Sequence, residues 1–255
     1  MKKKNKKVNA AILIIGDEIL SGRTQESNVS FISKWLNDSC GIIVEEVRVI
    51  PDIEKKIIKN ILELHKNFNY VFTTGGIGPT HDDITAQSIS KAFKVKYGYN
   101  DKAYKILEKY YGKKNFNDGR KKMAKMPKNS SLILNPSSAA PGFKIRNVLS
   151  LPGVPSILKS MIENCRTYLK GGKKKLSLTL NTQTVESNIS KELGKIQKQF
   201  FDVSIGSYPF FRLGKVGVSI VIRSSNKLKL KKCEKKIKDL LRLKKIKFFK
   251  YNLAA

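Results

Sequence analysis

The chain has 255 residues, 40% of them hydrophobic, which is enough for one sizeable core and a smaller second unit. Its formal net charge is +31, and because lysines spread along the whole chain supply most of the excess, we interpret it as compositional bias on solvated faces. Nucleic acid is therefore not the expected partner. Cys40, Cys165 and Cys233 are far apart and form no Cys-x-x-Cys pair, so the sequence indicates neither a disulfide framework nor a zinc site and fits a reducing compartment.

No apolar run approaches the roughly 20 residues that a membrane helix needs. The stretch Ala10–Ile15 follows a basic start, as in a signal peptide, but it is too short and continues into Gly-Asp-Glu rather than a cleavage site. We therefore expect a cytoplasmic protein without a membrane partner. Residues 1–7 are expected to form a basic disordered tail, with nucleic acid or an anionic membrane surface as its alternative partner.

Apolar runs alternate with stretches of helical period over the first two thirds of the chain, which is typical of an α/β sheet. The pattern predicts strands at about 10–15, 42–50, 70–74, 132–134, 143–145 and 148–151, and helices at about 28–36, 51–64, 84–93, 101–111 and 155–165. Apart from that fourth helix, the region 98–130 has too weak a pattern to place. We predict a first domain at 8–169, with three layers: a mostly parallel sheet with helices on both faces.

A charged, glycine-containing break at 170–175 is the best candidate linker. Beyond it the pattern predicts strands at 176–182, 202–205 and 216–223 and helices at about 186–200 and 228–243. The order β-α-β-β-α indicates a small α+β sandwich, which we place at 176–250 as a second, carboxy-terminal domain.

The segment Tyr70–Thr85 is a short apolar run that ends in a glycine turn and two adjacent aspartates. Backbone N–H groups at such a strand-to-helix turn hold phosphate well, and Gly76 and Gly78 are expected to take positive φ so that the backbone can approach it. Asp82 or Asp83 would then hold Mg²⁺, which prefers one or two carboxylates plus phosphate oxygens. The segment is neither a Walker A loop nor a dinucleotide fingerprint, and its Thr85 is expected only to cap the next helix.

Carboxylates follow three predicted strands in succession. Asp17 comes after the first strand, Asp52 after the second and the Asp82 pair after the third. Ligands of open α/β sheets bind outside the carboxyl ends of the strands, so these side chains are candidates for one site. The alternative is that Asp17 and Asp52 are ordinary turn or helix-capping residues. His81 lies in the same loop, and we expect it to have no chemical role.

The order of these motifs resembles the MoaB/Mog-type molybdopterin-binding domain, and especially the amino-terminal domain of CinA-like proteins. Four segments carry the resemblance: Gly16–Gly22, Asn28, Thr73–Thr85 and Leu151–Pro155. Ile205–Pro209 is similar to the small carboxy-terminal appendage of CinA-like proteins. The aspartates stand as Gly-Asp-Glu and as His-Asp-Asp, where the molybdopterin adenylyltransferases more often have Ser-Asp and an arginine before a single aspartate. Both differences favour the CinA side of the family.

The resemblance implies a set of site residues. By comparison with the Mog-type enzymes, the catalytic aspartates would be Asp52 and Asp83, with Asp17 assisting, and the divalent metal (Mg, Co or Mn) would lie on Asp82 and Asp83. The implied nucleotide- or pterin-binding residues are Gly16, Asn28, Thr74, Gly75, Gly76, Ile77, Gly78, Pro152 and Gly153. The resemblance also implies a homo-oligomer, and because it does not include the deamidase domain of full-length CinA proteins, deamidation is not expected.

Three hypotheses about function follow. The first is a metal-dependent pyrophosphatase, a hydrolase that acts on a nucleoside diphosphate compound such as ADP-ribose or FAD. The second is a molybdenum cofactor protein that binds molybdopterin or adenylylates it. The third is a non-catalytic module whose basic surface contacts nucleic acid.

Overall fold

The computed structural model describes residues 8–172, 176–212 and 215–251, which form two compact units divided between Gly172 and Lys173. The predicted basic tail at 1–7 and part of the predicted linker, residues 173–175, lie outside the described residues. No helix in the described part of the chain is long and apolar enough to cross a membrane.

The first unit alternates strands and helices. Its strands are β1 Asn9–Ile15, β2 Ile43–Ile50, β3 Tyr70–Thr74, β4 Tyr97–Tyr99, β5 Lys125–Pro127, β6 Ser131–Ile133, β7 Gly142–Ile145 and β8 Val148–Leu151. Its α-helices are α1 Asp17–Leu20, α2 Asn28–Trp35, α3 Glu54–Asn67, α4 Thr85–Ala92, α5 Asp101–Tyr111, α6 Asp118–Lys122 and α7 Pro155–Met161. A π-helical turn, Leu36–Cys40, continues α2, and a 3₁₀ segment, Ile162–Tyr168, continues α7.

Six of these strands form one sheet in the order β2-β1-β3-β8-β7-β6. The pairs β1–β2, β1–β3 and β3–β8 are parallel, and β7 pairs antiparallel with β8 and with β6. Ile15 is opposite Ile50, and Thr74 is opposite both Ile14 and Leu151, so four strands end together. This register brings the carboxyl ends of β1, β2, β3 and β8 to one edge of the sheet.

Helices cover both faces of this sheet, and β1 is therefore buried on both sides. Ala11, Leu13 and Ile15 pack in one core layer with side chains of α3, α4 and α5. The alternate residues Ile12 and Ile14 pack in the other layer with α2 and α7. A central parallel strand buried on both faces has a continuous apolar sequence, as β1 has. The predicted mostly parallel α/β sheet with helices on both faces is confirmed.

The region 98–130, which the sequence could not place, folds around α5 and α6. Strands β4 and β5 pair antiparallel in a separate two-stranded sheet. Leu107, Phe116 and Met126 bury this region against the core layer that contains α4. This region is held in place by contacts with residues distant in the sequence, and its strands of three residues are too short to give a periodic pattern. For these two reasons the sequence could not place it.

The second unit contains β9 Leu176–Thr182, α8 Ser187–Gln199, β10 Ser204–Arg212, β11 Lys215–Ser224, α9 Lys227–Leu243 and β12 Phe248–Tyr251. Its antiparallel sheet has the order β10-β11-β9-β12, and its core joins the sheet to α8 and α9. The order is therefore β-α-β-β-α-β, and the predicted β-α-β-β-α was wrong in omitting β12. Strand β10 also extends beyond the predicted 202–205, because an edge strand tolerates Pro209.

Candidate functional site

The four parallel strand ends carry the segments that the sequence singled out. Gly16 and Asp17 follow β1, Asp52 follows β2, the glycine loop follows β3, and the Pro-Gly turn follows β8. Two backbone hydrogen bonds join neighbouring ends: Gly16 N–H donates to Ile50 O at 3.1 Å, and Gly75 N–H donates to Leu151 O at 3.2 Å. The chain therefore assembles this edge from four separate parts of its sequence.

Asp52 is half-buried and bound directly to the first strand end, because the Asp17 N–H donates to Asp52 Oδ2 at 3.0 Å. Burial raises the pKa of the Asp52 carboxyl, the Asp17 N–H lowers it, and the negative charges of Asp17, Glu18 and Asp82 raise it further. The net effect is a raised pKa. Carboxylates that follow three different strands therefore act electrostatically on Asp52.

The glycine loop needs glycine at its first two positions. Gly75 has φ +96° and Gly76 has φ +66°, both in the region that favours glycine. A Cβ on Gly75 would collide with Ile15 O, and one on Gly76 would collide with the Thr85 hydroxyl. The prediction of positive φ holds for Gly76 but is wrong for Gly78, where a Cβ would instead lie 2.7 Å from Asp83 Oδ2.

The loop offers backbone donors to a ligand. Among the described residues, the N–H groups of Gly76, Ile77 and Gly78 have no hydrogen-bond acceptor. The loop closes onto α4, because the Thr85 N–H donates to Gly76 O at 2.9 Å. Unengaged N–H groups between a strand and a helix form the kind of cradle that binds phosphate.

Asp82 and Asp83 are held by one residue of the loop. The Thr80 hydroxyl lies 2.5 Å from Asp82 Oδ1 and 2.6 Å from Asp83 Oδ2, and the Thr80 N–H donates to Asp83 Oδ2 at 2.8 Å. The pKa of Asp82 is lowered mainly by the Thr80 hydroxyl, and the charges of His81 and Lys122 lower it further. Asp82 is thus stabilised as a carboxylate, while the neighbouring Asp52 has the opposite shift.

Two buried oxygen atoms beside the loop have no hydrogen-bond partner among the described residues. Asn28 is 4% exposed; its Nδ2 donates to Gly153 O at 2.7 Å, and its Oδ1 is unpartnered. The Thr85 hydroxyl is also buried and unpartnered, and the N-cap position of α4 is Ile84, whose side chain makes no capping hydrogen bond. The prediction that Thr85 only caps the helix was wrong. A buried polar atom without a partner is costly, and a bound ligand would satisfy it.

The carboxylates suit a cation that a substrate helps to bind. Among the described residues no group of three or more His, Cys, Asp or Glu side chains is placed to hold a metal ion by itself. Mg²⁺ needs fewer protein ligands, since it keeps several waters and uses one or two carboxylates with substrate phosphate oxygens. Oxygen ligands on Asp82 and Asp83, close to the mutually repelling Asp52 and Asp17, fit that requirement.

The structure adds basic residues that the sequence did not reveal. Lys122, at the end of α6, donates through Nζ to Thr80 O, and it lines a small cleft with Asp83, Lys125 and Tyr97. Lys122 and Lys125 come from the region 98–130, about 40 residues beyond the loop. No local motif connects the two regions, so sequence reasoning had no signal for them.

The other predicted site residues differ in how close they lie to the glycine loop and to Asp52. Thr74 is buried in β3, and Pro152 precedes Gly153, where a Cβ would lie 3.4 Å from the Gly75 Cα. Asp83 faces the cleft with Lys122, and the charges that act on Asp52 include Asp82 but not Asp83. His81 is exposed, in accord with a loop residue.

Comparison with known proteins finds a matching family model for each unit. A family model described as "Probable molybdopterin binding domain" matches residues 11–170, and one described as "FAD synthase, middle domain" matches residues 174–250. A protein of Archaeoglobus fulgidus is 32% identical over 90% of this chain and 96% of its own length. A "Putative competence-damage inducible protein" of Clostridium botulinum is 32% identical over 92% of this chain and 60% of its own length.

A "Probable FAD synthase" of Caenorhabditis elegans is 33% identical over 78% of this chain and 43% of its own length. The chain thus spans only part of the two relatives that carry descriptive names. The crystal structure of the protein CinA from Thermoplasma acidophilum superimposes with a TM-score of 0.59 at 30% identity, over 64% of this chain and 98% of that chain. The chain therefore belongs to the molybdopterin-binding-domain family, with CinA-like relatives, and carries a second region that matches the FAD synthase middle domain.

Proposed function

We propose that the first unit is a metal-dependent pyrophosphatase that hydrolyses nucleoside diphosphate compounds such as ADP-ribose or FAD. The observation that carries the proposal is the convergence of Asp17, Asp52 and Asp82 beside a glycine loop with unengaged N–H groups. An anion-binding cradle and a cluster of carboxylates at one sheet edge match a substrate that contains phosphate and requires a cation. The match of the second unit to a FAD synthase domain supports a nucleotide substrate.

The substrate phosphates would bind the N–H groups of Gly76, Ile77 and Gly78, with Lys122 adding positive charge from the adjacent cleft. Asn28 Oδ1 and the Thr85 hydroxyl are available for the sugar or base of the nucleotide. Asp82 and Asp83 would hold the divalent cation, which supplies charge neutralisation at the phosphoryl oxygens.

Asp52 is the residue that orients the attacking water. The reaction breaks the phosphoanhydride bond: the water oxygen bonds to one phosphorus, the other phosphate leaves with the bridging oxygen, and Asp52 accepts the proton. A carboxylate with a raised pKa is a better proton acceptor than an ordinary one. The products from ADP-ribose are AMP and ribose 5-phosphate.

The test is AMP release from ADP-ribose and from FAD by the purified protein with Mg²⁺, Mn²⁺ or Co²⁺. We expect release that EDTA abolishes and that Asp83→Asn reduces at least about 100-fold, since it removes a metal ligand. Asp101→Asn, a change of the same chemistry in the first turn of α5, is the matched control. No release above the Asp83→Asn rate, with any of the three metals, would refute the proposal.

A second candidate is molybdopterin binding or adenylylation, which the description of the matching family model favours. It would use the same loop and carboxylates with a pterin and Mg-ATP as substrates. Adenylyl transfer from ATP to molybdopterin, without hydrolysis of ADP-ribose or FAD, would support this candidate and exclude the first. Absence of both pterin binding and adenylyl transfer would exclude the second.

A further inference from the structure

The second unit leaves one face of its sheet uncovered by its own helices. Both α8 and α9 pack on the same face, where Leu180, Val218 and Ile237 belong to the buried core. Residues at alternate positions point the other way, and apart from Gly217, which lies beneath the Phe210 ring, those with a described burial are exposed or half-buried. The opposite face of the four-stranded sheet therefore has no helix of this unit packed on it.

Aromatic side chains occupy the two edge strands of this open face. The register places Tyr208, Ser219, Asn181 and Phe249 in one row across all four strands. Tyr208 is 50% exposed and Phe249 is 49% exposed. Neighbouring strands lie about 4.8 Å apart, so the two aromatic residues at the ends of the row are separated by roughly 14 Å.

Two rings on this face lie over glycines. A Cβ on Gly206 would be 2.9 Å from the Tyr208 ring, and a Cβ on Gly217 would overlap the Phe210 ring. The rings therefore lie along the sheet and do not stand upright from it. A ring in this position covers a glycine with one face and leaves the other face for stacking.

Residues 176–250 contain 18 lysines and arginines against five aspartates and glutamates. Of the 18, 11 lie on α8 and α9, on the covered side of the sheet, but the four strands themselves carry no aspartate or glutamate. On the open face itself, Arg223 lies in the row of Ser204 and Ser177, and exposed Lys247 directly precedes β12. Neither Arg223 nor Lys247 has an ion-pair partner within the described residues. The open face therefore carries positive charge and no acidic residue of its own strands, which suits an anionic partner.

We propose that the open sheet face of the second unit binds single-stranded nucleic acid. Bases stack on aromatic rings that lie along a sheet, and Arg223 and Lys247 at this face attract the phosphates. The half-buried Ser219 and Asn181 between the aromatic residues, whose side chains are 2.6 Å apart, offer hydrogen-bond groups to base edges. A second protein chain suits the face less well, because polar residues interrupt the apolar surface in the middle of the row.

The experiment measures the affinity of the full chain for fluorescein-labelled single-stranded RNA and DNA, and for the corresponding duplexes, by anisotropy at about 150 mM salt. We expect at least one single strand to bind more tightly than its duplex. Tyr208→Ala and Phe249→Ala should each weaken that binding at least about 5-fold, as expected for the loss of one stacked base. Comparison of the RNA and DNA arms shows which sugar is preferred.

Phe201→Ala is the matched control, because Phe201 is 93% exposed but lies outside the sheet. It should leave the affinity unchanged, and circular dichroism checks that all three variants are folded. The proposal is overturned if no single strand binds, or if Tyr208→Ala and Phe249→Ala bind as well as Phe201→Ala, since lysine charge alone would then explain binding. It is also overturned if the two variants instead dissociate a dimer in sedimentation, which would make the face an interface between copies.

Discussion

At the scale of single residues, the site depends on carboxylates that are unfavourable to one another. Asp52 has a raised pKa because it is partly buried and because Asp17, Glu18 and Asp82 surround it with negative charge. Such an arrangement reduces the stability of the ligand-free protein and is typical of functional sites. The same repulsion becomes favourable once a cation is bound.

The first prediction concerns how much the charge of Asp52 lowers the free energy of unfolding. Asp52→Asn should raise the free energy of unfolding of the metal-free protein by about 0.5–1 kcal/mol at pH 7, since it removes a repelled carboxylate. Because the pKa of Asp52 is raised in the folded state, the folded protein binds this proton more tightly than the unfolded chain does. The wild type therefore loses stability as pH rises above the unfolded-state pKa of about 3.9. The difference between variant and wild type should therefore vanish at more acidic pH. Urea denaturation from pH 3.5 to 7 measures it; a less stable variant at pH 7 would contradict this explanation.

The second prediction compares two glycines. Gly75→Ala should destabilise the protein by about 1–3 kcal/mol, because a Cβ meets Ile15 O and φ is +96°. Gly194, in the exposed middle of α8, has open space around it. Gly194→Ala should therefore stabilise its helix by about 0.5–1 kcal/mol. Thermal melting of both variants checks the pair, and equal effects would show that the loop conformation does not require glycine.

At the scale of elements, the sequence predicted best the strands that are short apolar runs ended by glycine or proline. Strands β3 and β8 and helix α5 have the predicted bounds, because the periodicity and the flanking turn residues agree there. The π-helical turn Leu36–Cys40 was not predicted, since it continues the helical pattern of α2. Strand β12 was missed because Phe248 and Phe249 follow a long lysine-rich helix and their partner strand β9 is about 70 residues earlier.

The third prediction concerns the connection between the β7–β8 turn and the end of α3. Asn147 Nδ2 donates to Phe68 O at 2.8 Å and to His65 O at 3.1 Å, and so satisfies carbonyls at the end of α3. Asn147→Ala should cost about 1–2 kcal/mol of unfolding free energy, because two partly buried acceptors lose their donor. Asn37→Ala, which removes only a local bond to Asp38, should cost less than about 0.5 kcal/mol. Equal losses in chemical denaturation would contradict the role of Asn147.

At the scale of the whole molecule, the two units have separate cores, with no buried residue shared among the described clusters. The parallel order of the strands was predictable, and it brought Asp17, Asp52 and the glycine loop to one edge of the sheet. The approach of Lys122 and Lys125 was not predictable, because it depends on how residues 98–130 fold back over the loop. The sequence thus predicts the acidic and glycine parts of the candidate site, and the tertiary fold supplies its basic part.

The fourth prediction follows from the separate cores. A fragment of residues 1–172 should fold cooperatively and release AMP from ADP-ribose at a rate within about threefold of the full chain, because every proposed site residue lies in the first unit. The measurement is a thermal melt combined with the release assay. A fragment that is folded but inactive would show that the second unit contributes to the reaction.

The role of Asp52 in hydrolysis can be measured as the rate of AMP release from ADP-ribose at saturating Mg²⁺ for wild type, Asp52→Asn and Asp38→Asn. Asp38 is an exposed aspartate in the π-helical turn before β2, so its variant has the same change of charge away from the carboxyl edge of the sheet. We predict that Asp52→Asn lowers the rate at least about 100-fold, in the range expected for loss of a general base, and that Asp38→Asn changes it less than about twofold. Equal rates for the two variants would contradict the account.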